Sequence, residues 1–334
     1  MSPLASNASP IPDNAAVELR DVSYLHPGDR GVRHITLALA RGSVLALLGP
    51  NGSGKSTILN LVAGFLHPQH GDIHILGQRM TTDLRRRIGI LFQDTSLDPL
   101  MTVGETLWLH GRLFGMRTAH LRQRVDELLT LTDLQERRND EVEALSGGLK
   151  RRLELARCVL HEPDLILLDE PSLGLDPDSK AALWAMLSAI NASGAALMLA
   201  TNDVAEAERY GQNIAFIEHE RVIVEGTPDQ LKGNLRRDSV RVEWPAAPPD
   251  IAREINSWDG VGHVSGQLPE LHITVDDASA FVPTLFQAAN GAIAAIRIHE
   301  STLEDAYFQI VGRPLQPSGT QDHPNPSHTG GAAS

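Results

Sequence analysis

The amino-acid sequence predicts an α/β fold with a partly parallel sheet, followed by a small α+β module. The segments Val44–Leu48 and Leu165–Leu168 are continuously apolar, which is typical of strands covered on both faces. The segments Val17–Tyr24 and Ile35–Leu39 alternate between apolar and polar residues, which is typical of strands with one face in solvent. The continuous segments therefore indicate that part of the sheet is parallel.

Composition places the chain among globular proteins and limits its partners. Hydrophobic residues make up 42 % of the 334 positions, enough for a sizeable core. The net charge of −13 argues against nucleic acid as a partner. The single cysteine, Cys158, cannot form an internal disulfide. We expect a cytoplasmic protein, because the sequence has no apolar run of membrane-spanning length and residues 1–12 lack the features of a signal peptide.

Four segments follow one another along the chain. Residues 1–14 and 315–334 are rich in small and polar residues and are predicted to be disordered tails. Residues 15–235 are predicted to form the larger domain, in which a helical pattern after Met101 indicates an inserted helical subdomain. Residues 236–314 alternate strand, helix, strand, strand, helix and strand, which predicts a small α+β module of split βαβ type.

The strongest chemical signal is a P-loop motif, which follows the apolar segment Val44–Leu48 and precedes the helical pattern of Thr57–Phe65. Its glycines let the backbone curl until N–H groups point at phosphate oxygens, and the helix N-terminus adds positive potential. We expect Lys55 to reach the terminal phosphates of a nucleotide and the Ser56 hydroxyl to ligate magnesium. The predicted nucleotide-binding residues of this loop are Gly49, Pro50, Asn51, Gly52, Ser53, Gly54, Lys55, Ser56 and Thr57.

A second apolar segment ends in two carboxylates, Asp169 and Glu170. Adjacent acids at the end of a buried strand are costly unless a cation or hydrogen bonds offset the lost hydration. A magnesium nucleotide supplies such a cation. We therefore expect Asp169 to hold the metal, directly or through water, and Glu170 to polarise the water that attacks the terminal phosphorus.

A third motif, Ser146-Gly147-Gly148 at the start of a helical pattern, resembles the signature motif of the ABC (ATP-binding cassette) ATPase family. A serine hydroxyl and two glycine amides at a helix start form an anion-binding nest. The resemblance implies a P-loop NTPase domain with a RecA-like core, an antiparallel β subdomain and a helical subdomain. It also implies that ATP and Mg²⁺ bind the chain, and that the signature closes on the ATP held by a second subunit in a head-to-tail dimer.

The same resemblance assigns roles to further residues. Tyr24 matches the aromatic residue that stacks on adenine, and Gln93 matches the glutamine that contacts the metal and senses the membrane partner. Asp176 matches the D-loop aspartate that links the two sites of the dimer, and it is equally a candidate N-cap for the next helix. The metal ligands expected from the resemblance are Ser56, Gln93 and Asp169.

Two positions depart from the family pattern. Leu149 stands in the signature where glutamine is the commonest residue, and Asn202 stands where the family has a histidine that contacts the terminal phosphate. Asparagine can donate a hydrogen bond, but it neither carries a positive charge nor shuttles a proton. We therefore expect nucleotide binding and dimer closure, with slower hydrolysis than in a histidine-bearing relative.

The segment Ser301–Tyr307 resembles the end of the C-terminal extension in ABC ATPases of the daunorubicin-resistance type. A capped helix start explains the same residues without any function, so both interpretations stay open at this point. The resemblance implies the ATP-hydrolysing subunit of an exporter of the multidrug-resistance kind. Such a subunit works on a separate membrane permease at the cytoplasmic face of the cell membrane, and we expect a homodimer rather than a heterodimer.

Two alternatives to this function stay open. A regulatory nucleotide-binding subunit would hydrolyse ATP weakly because of Asn202, although Glu170 argues against this interpretation. A soluble ABC ATPase of translation or DNA repair would carry two cassettes or a long coiled-coil insertion. This chain has one cassette and no heptad pattern between Lys55 and Ser146.

Overall fold

The computed structural model describes residues 14–92, 96–233, 238–245, 247–289, 293–299, 302–311 and 315. The predicted tails, apart from Asn14 and Leu315, lie outside these ranges, and so does the predicted site residue Gln93. Within the described ranges, no helix has the length and apolar character needed to cross a membrane.

The larger domain and the C-terminal segment contain regular elements in the following order. Up to Gly233 these are β1 (Ala15–Leu25), β2 (Gly31–Ala40), β3 (Val44–Leu48), α1 (Lys55–Val62), β4 (His70–Ile75), α2 (Thr82–Arg85), β5 (Ile88–Leu91), α3 (Val103–Leu113), α4 (Thr118–Leu131), α5 (Gly147–Val159), β6 (Leu165–Asp169), α6 (Pro177–Ala192), β7 (Ala196–Thr201), α7 (Val204–Tyr210), β8 (Asn213–Glu218), β9 (Arg221–Gly226) and α8 (Pro228–Gly233). The remaining elements are β10 (Asp238–Glu243), α9 (Ile251–Asn256), β11 (Val261–Gln267), β12 (Glu270–Val275), α10 (Ala278–Ala288), β13 (Ala295–His299) and α11 (Leu303–Val311).

A six-stranded sheet in the order β5-β6-β7-β3-β8-β9 forms the centre of the larger domain, and only β9 runs antiparallel to its neighbour. Leu45 and Leu47 of β3 belong to one buried cluster, whereas Ala46 and Leu48 belong to another. Both faces of the sheet are therefore covered, which confirms the prediction from the continuous apolar segments. The carboxyl ends of parallel strands meet at one edge, so the segments that follow β3, β6 and β7 lie together.

A second, antiparallel sheet in the order β2-β1-β4 covers one side of this centre. Its inward side chains, such as Leu19 and Leu37, share a buried cluster with Ile58 of α1. The sheet therefore packs beside the P-loop helix, in agreement with the predicted antiparallel β subdomain.

The predicted helical subdomain is built from α3, α4 and the start of α5. A capping box begins α3, because the Thr102 hydroxyl accepts from the Glu105 N–H at 3.2 Å and the Glu105 carboxylate accepts from the Thr102 N–H at 2.9 Å. Leu121 and Val125 of α4 share a buried cluster with Leu153 of α5. The signature motif at the start of α5 is thereby attached to the helical subdomain.

The C-terminal module has the predicted strand and helix order around an antiparallel sheet, β11-β12-β10-β13. This order is that of a split βαβ fold. Val240 and Ile273 from the sheet share a separate buried cluster with Ile255 of α9 and Leu285 of α10. The two helices therefore cover one face of the sheet.

The last helix, α11, packs on the larger domain. Leu303, Ala306 and Tyr307 are buried in the same cluster as Phe216 of β8, and the Tyr307 hydroxyl donates to the Glu218 carboxylate at 2.8 Å. Thr302 caps the helix by accepting from the Asp305 N–H at 3.2 Å. The segment ending at Tyr307 is thus a capped helix start, and it also attaches the C-terminal segment to the larger domain, which the sequence pattern did not predict.

Candidate active site

The P-loop curls at the carboxyl end of β3. Two of its positions require glycine, one because of its backbone conformation and the other because of a close approach. Gly54 caps α1 with φ of +109°, and a Cβ atom on Gly49 would lie 2.2 Å from the Ile217 carbonyl oxygen of β8. The Lys55 ammonium folds back over this loop, where it donates to the carbonyl oxygens of Gly49 at 2.7 Å and Pro50 at 3.1 Å. The loop therefore holds one buried cation among its own backbone groups.

Lys55 is surrounded by protein and by acidic side chains. Only 5 % of the residue is exposed, and burial lowers the pKa of its ammonium group. The nearby carboxylates of Glu170, Asp169 and Glu218 oppose this shift in the pKa by favouring the charged form. Sequence reasoning identified the first two of these carboxylates but not Glu218 at the end of β8.

Asp169, the last residue of β6, lies against the first turn of the P-loop helix. The Ser56 side chain hydrogen-bonds to its carboxylate, and burial raises the pKa of Asp169 above the usual range. A hydroxyl and a carboxylate in contact at the edge of a sheet form an oxygen-rich corner, which suits a hard divalent cation.

Glu170 follows β6 in an unusual backbone conformation. Its φ of +44° lies in the left-handed region, which a glutamate rarely adopts and which recurs at functional sites. Its N–H donates to the Ala200 carbonyl of β7 at 2.9 Å, which fixes this turn. Burial raises the pKa of the side chain, and Lys55 partly opposes that effect. A carboxylate with a raised pKa beside a nucleotide loop is suited to accept a proton.

Arg151 of α5 holds the turn that carries both carboxylates, a role that the sequence did not reveal. Its guanidinium donates to the carbonyl oxygens of Phe92 at 2.6 Å, Glu170 at 3.2 Å and Pro171 at 2.8 Å. It also pairs with the buried Glu154 carboxylate of the same helix at 3.0 Å. The signature helix is therefore tied directly to the residues that follow β5 and β6.

Asn202 follows β7 and reaches the P-loop. Its side-chain amide donates to the Asn51 side-chain oxygen at 3.3 Å, so the structure brings this predicted site residue next to the nucleotide loop. The preceding Thr201 donates from its hydroxyl to the buried carboxylate of Glu206 at 2.6 Å. The Trp184 indole N–H donates to the same carboxylate at 2.9 Å, which anchors the loop on α6.

Tyr24, the predicted adenine-stacking residue, lies at the end of β1. Its ring meets that of His26 edge to face with centroids 4.9 Å apart, and the His26 Nε2 atom lies 3.3 Å from the Thr57 hydroxyl. The tyrosine is thus placed beside the P-loop helix through His26, which sequence reasoning did not single out.

Ser146, Gly147 and Gly148 begin α5 as predicted, with the Ser146 hydroxyl accepting from the Leu149 N–H at 3.4 Å. Ser146 and Gly147 are exposed, and a Cβ atom on Gly147 would meet no other atom within 4 Å. A Cβ atom on Gly148 would instead lie 2.9 Å from the Ser179 hydroxyl of α6. The signature therefore presents an open helix start beside the D-loop.

Asp176 caps α6, because its carboxylate accepts from the Ser179 N–H at 2.9 Å. Hydrogen bonds from the side chain and the backbone N–H of Ser179 lower the pKa of the carboxyl group. Asp176 is therefore the N-cap of α6. The residue is also exposed, so a second subunit could contact it.

Comparison with known proteins identifies the family. The model of the ABC transporter family matches residues 32–173. The daunorubicin/doxorubicin resistance ATP-binding protein DrrA of Streptomyces peucetius is 31 % identical over 315 residues, which cover 92 % of this chain and 96 % of that protein. The Nod factor export ATP-binding protein I of Burkholderia lata is 32 % identical over 307 residues, which cover 90 % of this chain and 99 % of that protein.

Solved structures agree with this assignment. A dimeric ATP-binding cassette in a post-hydrolysis state, bound to ADP and Pi, superposes with a TM-score of 0.58 at 27 % identity. The superposition covers 63 % of this chain and 98 % of that cassette. The chain belongs to the ABC transporter family, as an ATP-binding subunit that hydrolyses ATP.

Proposed function

We propose that this chain drives export through a separate membrane permease, with Lys55, Asp169 and Glu170 as the centre of its hydrolytic site. The observation that carries this proposal is the convergence of the buried Lys55, the buried Glu170 and the half-buried Asp169 at the carboxyl ends of neighbouring parallel strands. Both relatives described above are named as ATP-binding proteins for resistance or export. These names favour an exporter over a soluble, non-transport ABC ATPase.

Ser56 and Asp169 would hold a magnesium ion. Their side chains are already in contact, and both offer the oxygen ligands that magnesium prefers. Two protein ligands are the usual number for magnesium, which completes its coordination shell with phosphate oxygens and water. When bound, the ion neutralises charge on the phosphates. Gln93 remains a proposed third ligand outside the described residues.

The protein groups divide the chemistry among them. Glu170 orients the attacking water and takes up its proton, because it is the buried carboxylate with a left-handed backbone next to the loop. Lys55 leaves its backbone carbonyls and stabilises the negative charge of the terminal phosphate. The Asn202 amide, which lies next to Asn51, donates a hydrogen bond to the same phosphate. Tyr24 stacks on the adenine ring.

Two copies of the chain close head to tail around two ATP molecules. The open helix start at Ser146, Gly147 and Gly148 supplies N–H groups to the nucleotide of the second copy. Asp176 faces the other subunit from the neighbouring helix start. We propose a homodimer, and the dimeric cassette that superposes on this chain supports such an assembly.

The permease docks on an aromatic groove at the end of β5. Phe65 and Phe92 are both exposed and their rings stack with centroids 6.0 Å apart. They border a cavity of about 280 Å³ that is also lined by Phe114, the residue that follows α3. Exposed aromatic side chains at a groove are typical of protein interfaces. Docking through this groove would hold the chain at the cytoplasmic face of the membrane.

The first prediction tests hydrolysis. In Glu170→Gln, the carboxamide cannot accept a proton, so we expect ATP turnover to fall by about 10²- to 10⁴-fold while ATP binding persists. Steady-state ATPase activity and equilibrium nucleotide binding measure the two effects. Glu143→Gln is the matched control, since Glu143 is exposed and forms no ion pair within the described residues.

The same experiment discriminates between the two subunit types. Absent turnover of the wild-type chain, both alone and with its permease, together with intact ATP binding, would favour the regulatory interpretation. Equal turnover of wild type and Glu170→Gln would contradict the assignment of Glu170 as the base.

A further inference from the structure

We propose that the open face of the C-terminal sheet binds a phosphate group. The strand register places Arg241 of β10 directly opposite Arg297 of β13 and opposite His272 of β12. His272 in turn lies opposite Ser265 of β11. Residues that lie directly opposite each other share one face of a sheet. Two guanidinium groups, an imidazole and a hydroxyl therefore form one row across all four strands.

This row lies on the face that the module's helices leave uncovered. The neighbouring residues Val240 and Val242 point the other way and are fully buried, as is Ile273 of β12. The Arg241 side chain is 49 % exposed, and Arg297 is exposed as well. The row is thus accessible to a ligand from solution.

A depression of about 450 Å³ lies at the centre of the row. It is lined by Ser239, Arg241, His272, Arg297 and Ile298. The lining contains no carboxylate. Glu270 pairs with Arg241 at 3.2 Å, whereas Arg297 forms no ion pair with any residue that the structure describes. The depression therefore holds excess positive charge on a chain whose net charge is −13.

Stability accounts for Arg241, which pairs with Glu270, but not for a second arginine placed directly opposite it. Like charges directly opposite each other destabilise a sheet. Residues that cost stability without a structural gain are common where a ligand binds. An anion placed between Arg241 and Arg297 would offset the repulsion and give Arg297 the counter-charge that Arg241 already has in Glu270.

The donors on this face match phosphate better than carboxylate. Each guanidinium presents several N–H groups in a planar fork, and the Ser239 hydroxyl and the imidazole add further donors. A carboxylate has only two oxygens and one negative charge to share among these donors. A phosphomonoester or inorganic phosphate has at least three terminal oxygens and carries up to two negative charges at neutral pH. The ligand class is therefore inorganic phosphate or a phosphomonoester, either of a soluble molecule or of a lipid headgroup such as that of phosphatidate.

The test uses the full chain with magnesium and a non-hydrolysable ATP analogue at saturation, so that the P-loop and its terminal-phosphate position are filled. Inorganic phosphate is then titrated, with heat of binding and melting temperature as readouts. We expect saturable binding with Kd at or below about 1 mM, and a rise in melting temperature. In Arg297→Gln we expect binding to weaken at least about tenfold. The melting temperature of that variant without phosphate should equal or exceed the wild-type value, because the like-charge pair is gone.

Arg253→Gln is the matched control, because Arg253 is an exposed arginine on α9, on the covered side of the same module. It should bind phosphate as the wild type does. Equal weakening in Arg253→Gln and Arg297→Gln would overturn the proposal, since it would show only a general charge effect.

A second arm separates the two sources of phosphate. Co-sedimentation with phosphatidylcholine vesicles, with and without phosphatidate, tests the headgroup source in the wild type and in Arg297→Gln. Binding that requires both phosphatidate and Arg297 supports a lipid ligand, whereas binding of inorganic phosphate alone supports a soluble one. Absence of both kinds of binding would overturn the proposal and would leave the export function untouched.

Discussion

At the scale of single residues, the site combines side chains whose roles the sequence indicates with others that only contacts reveal. Lys55, Asp169 and Glu170 belong to motifs, and their burial explains the direction of each pKa shift. Arg151 has no such motif role, yet it binds four backbone carbonyls around the two carboxylates. Its contacts join segments far apart in the chain, so no local pattern could have predicted them.

The second prediction concerns Asn202. Because its amide lies at 3.3 Å from Asn51 of the P-loop, a histidine at this position would lie close enough to reach the terminal phosphate. We expect Asn202→His to raise ATP turnover by about tenfold, the difference between a neutral and a charge-assisted hydrogen bond. Steady-state ATPase activity provides the measurement.

Asn202→Gln is the matched control for this change, since it keeps the amide and adds no charge. Unchanged or lower turnover in Asn202→His would show that this position does not limit the rate. A similar rise in both variants would point to side-chain length rather than charge.

At the scale of elements, the edge strand β9 of the core sheet carries a partly buried carboxyl group. The carboxyl group of Glu225 on β9 accepts from the Asn213 amide of β8, and burial raises the pKa of Glu225 to about 7. The folded state thus retains this proton up to a pH at which the unfolded chain has already lost it. Stability contributed by this group is present below pH 4.5 and is lost as the pH rises through 7.

The third prediction follows from this shift. Glu225→Gln cannot ionise, so we expect its melting temperature to exceed that of the wild type at pH 8 and the difference to vanish near pH 4.5. Thermal unfolding across this pH range provides the measurement, with Glu143→Gln as a control for loss of an exposed charge. A difference that is constant across the range would contradict the shifted pKa.

The fourth prediction concerns α11. Tyr307 is 1 % exposed, and its hydroxyl donates a hydrogen bond to the Glu218 carboxylate. The same carboxylate favours the charged form of Lys55. We expect Tyr307→Phe to lower the free energy of unfolding by about 1–3 kcal/mol, because a buried hydrogen bond is lost without a change in packing. Denaturant unfolding measures this change. Phe308→Tyr, at the exposed neighbouring position, should leave stability within about 0.5 kcal/mol of wild type.

At the scale of the whole molecule, the proposed site is complete only in a dimer. The signature at Ser146 is an exposed helix start whose nearest packing is with α6, so it is free to meet a nucleotide held by another chain. A head-to-tail dimer would therefore assemble each site from the P-loop of one copy and the signature of the other.

The fifth prediction uses this geometry. Lys55→Ala damages one half of each site and Ser146→Arg the other half, so each variant alone should lose ATPase activity. A mixed dimer contains one site with both changes and one intact site. An equimolar mixture should therefore recover about a quarter of wild-type activity, given random pairing and independent sites. Steady-state ATPase activity of the separate and mixed variants provides the measurement, and a mixture as inactive as its components would contradict the shared site.

The sequence by itself determined the fold of the larger domain, because continuous apolar segments require strands buried on both faces and the P-loop requires a strand before it and a helix after it. It also indicated the module's order of strands and helices from local periodicity. The tertiary structure alone decided which distant groups meet. The contact of Tyr307 with Glu218, the support of Glu170 by Arg151 and the pairing of Arg241 with Arg297 join residues from separate elements. Such contacts depend on packing and strand register, which local sequence patterns do not encode.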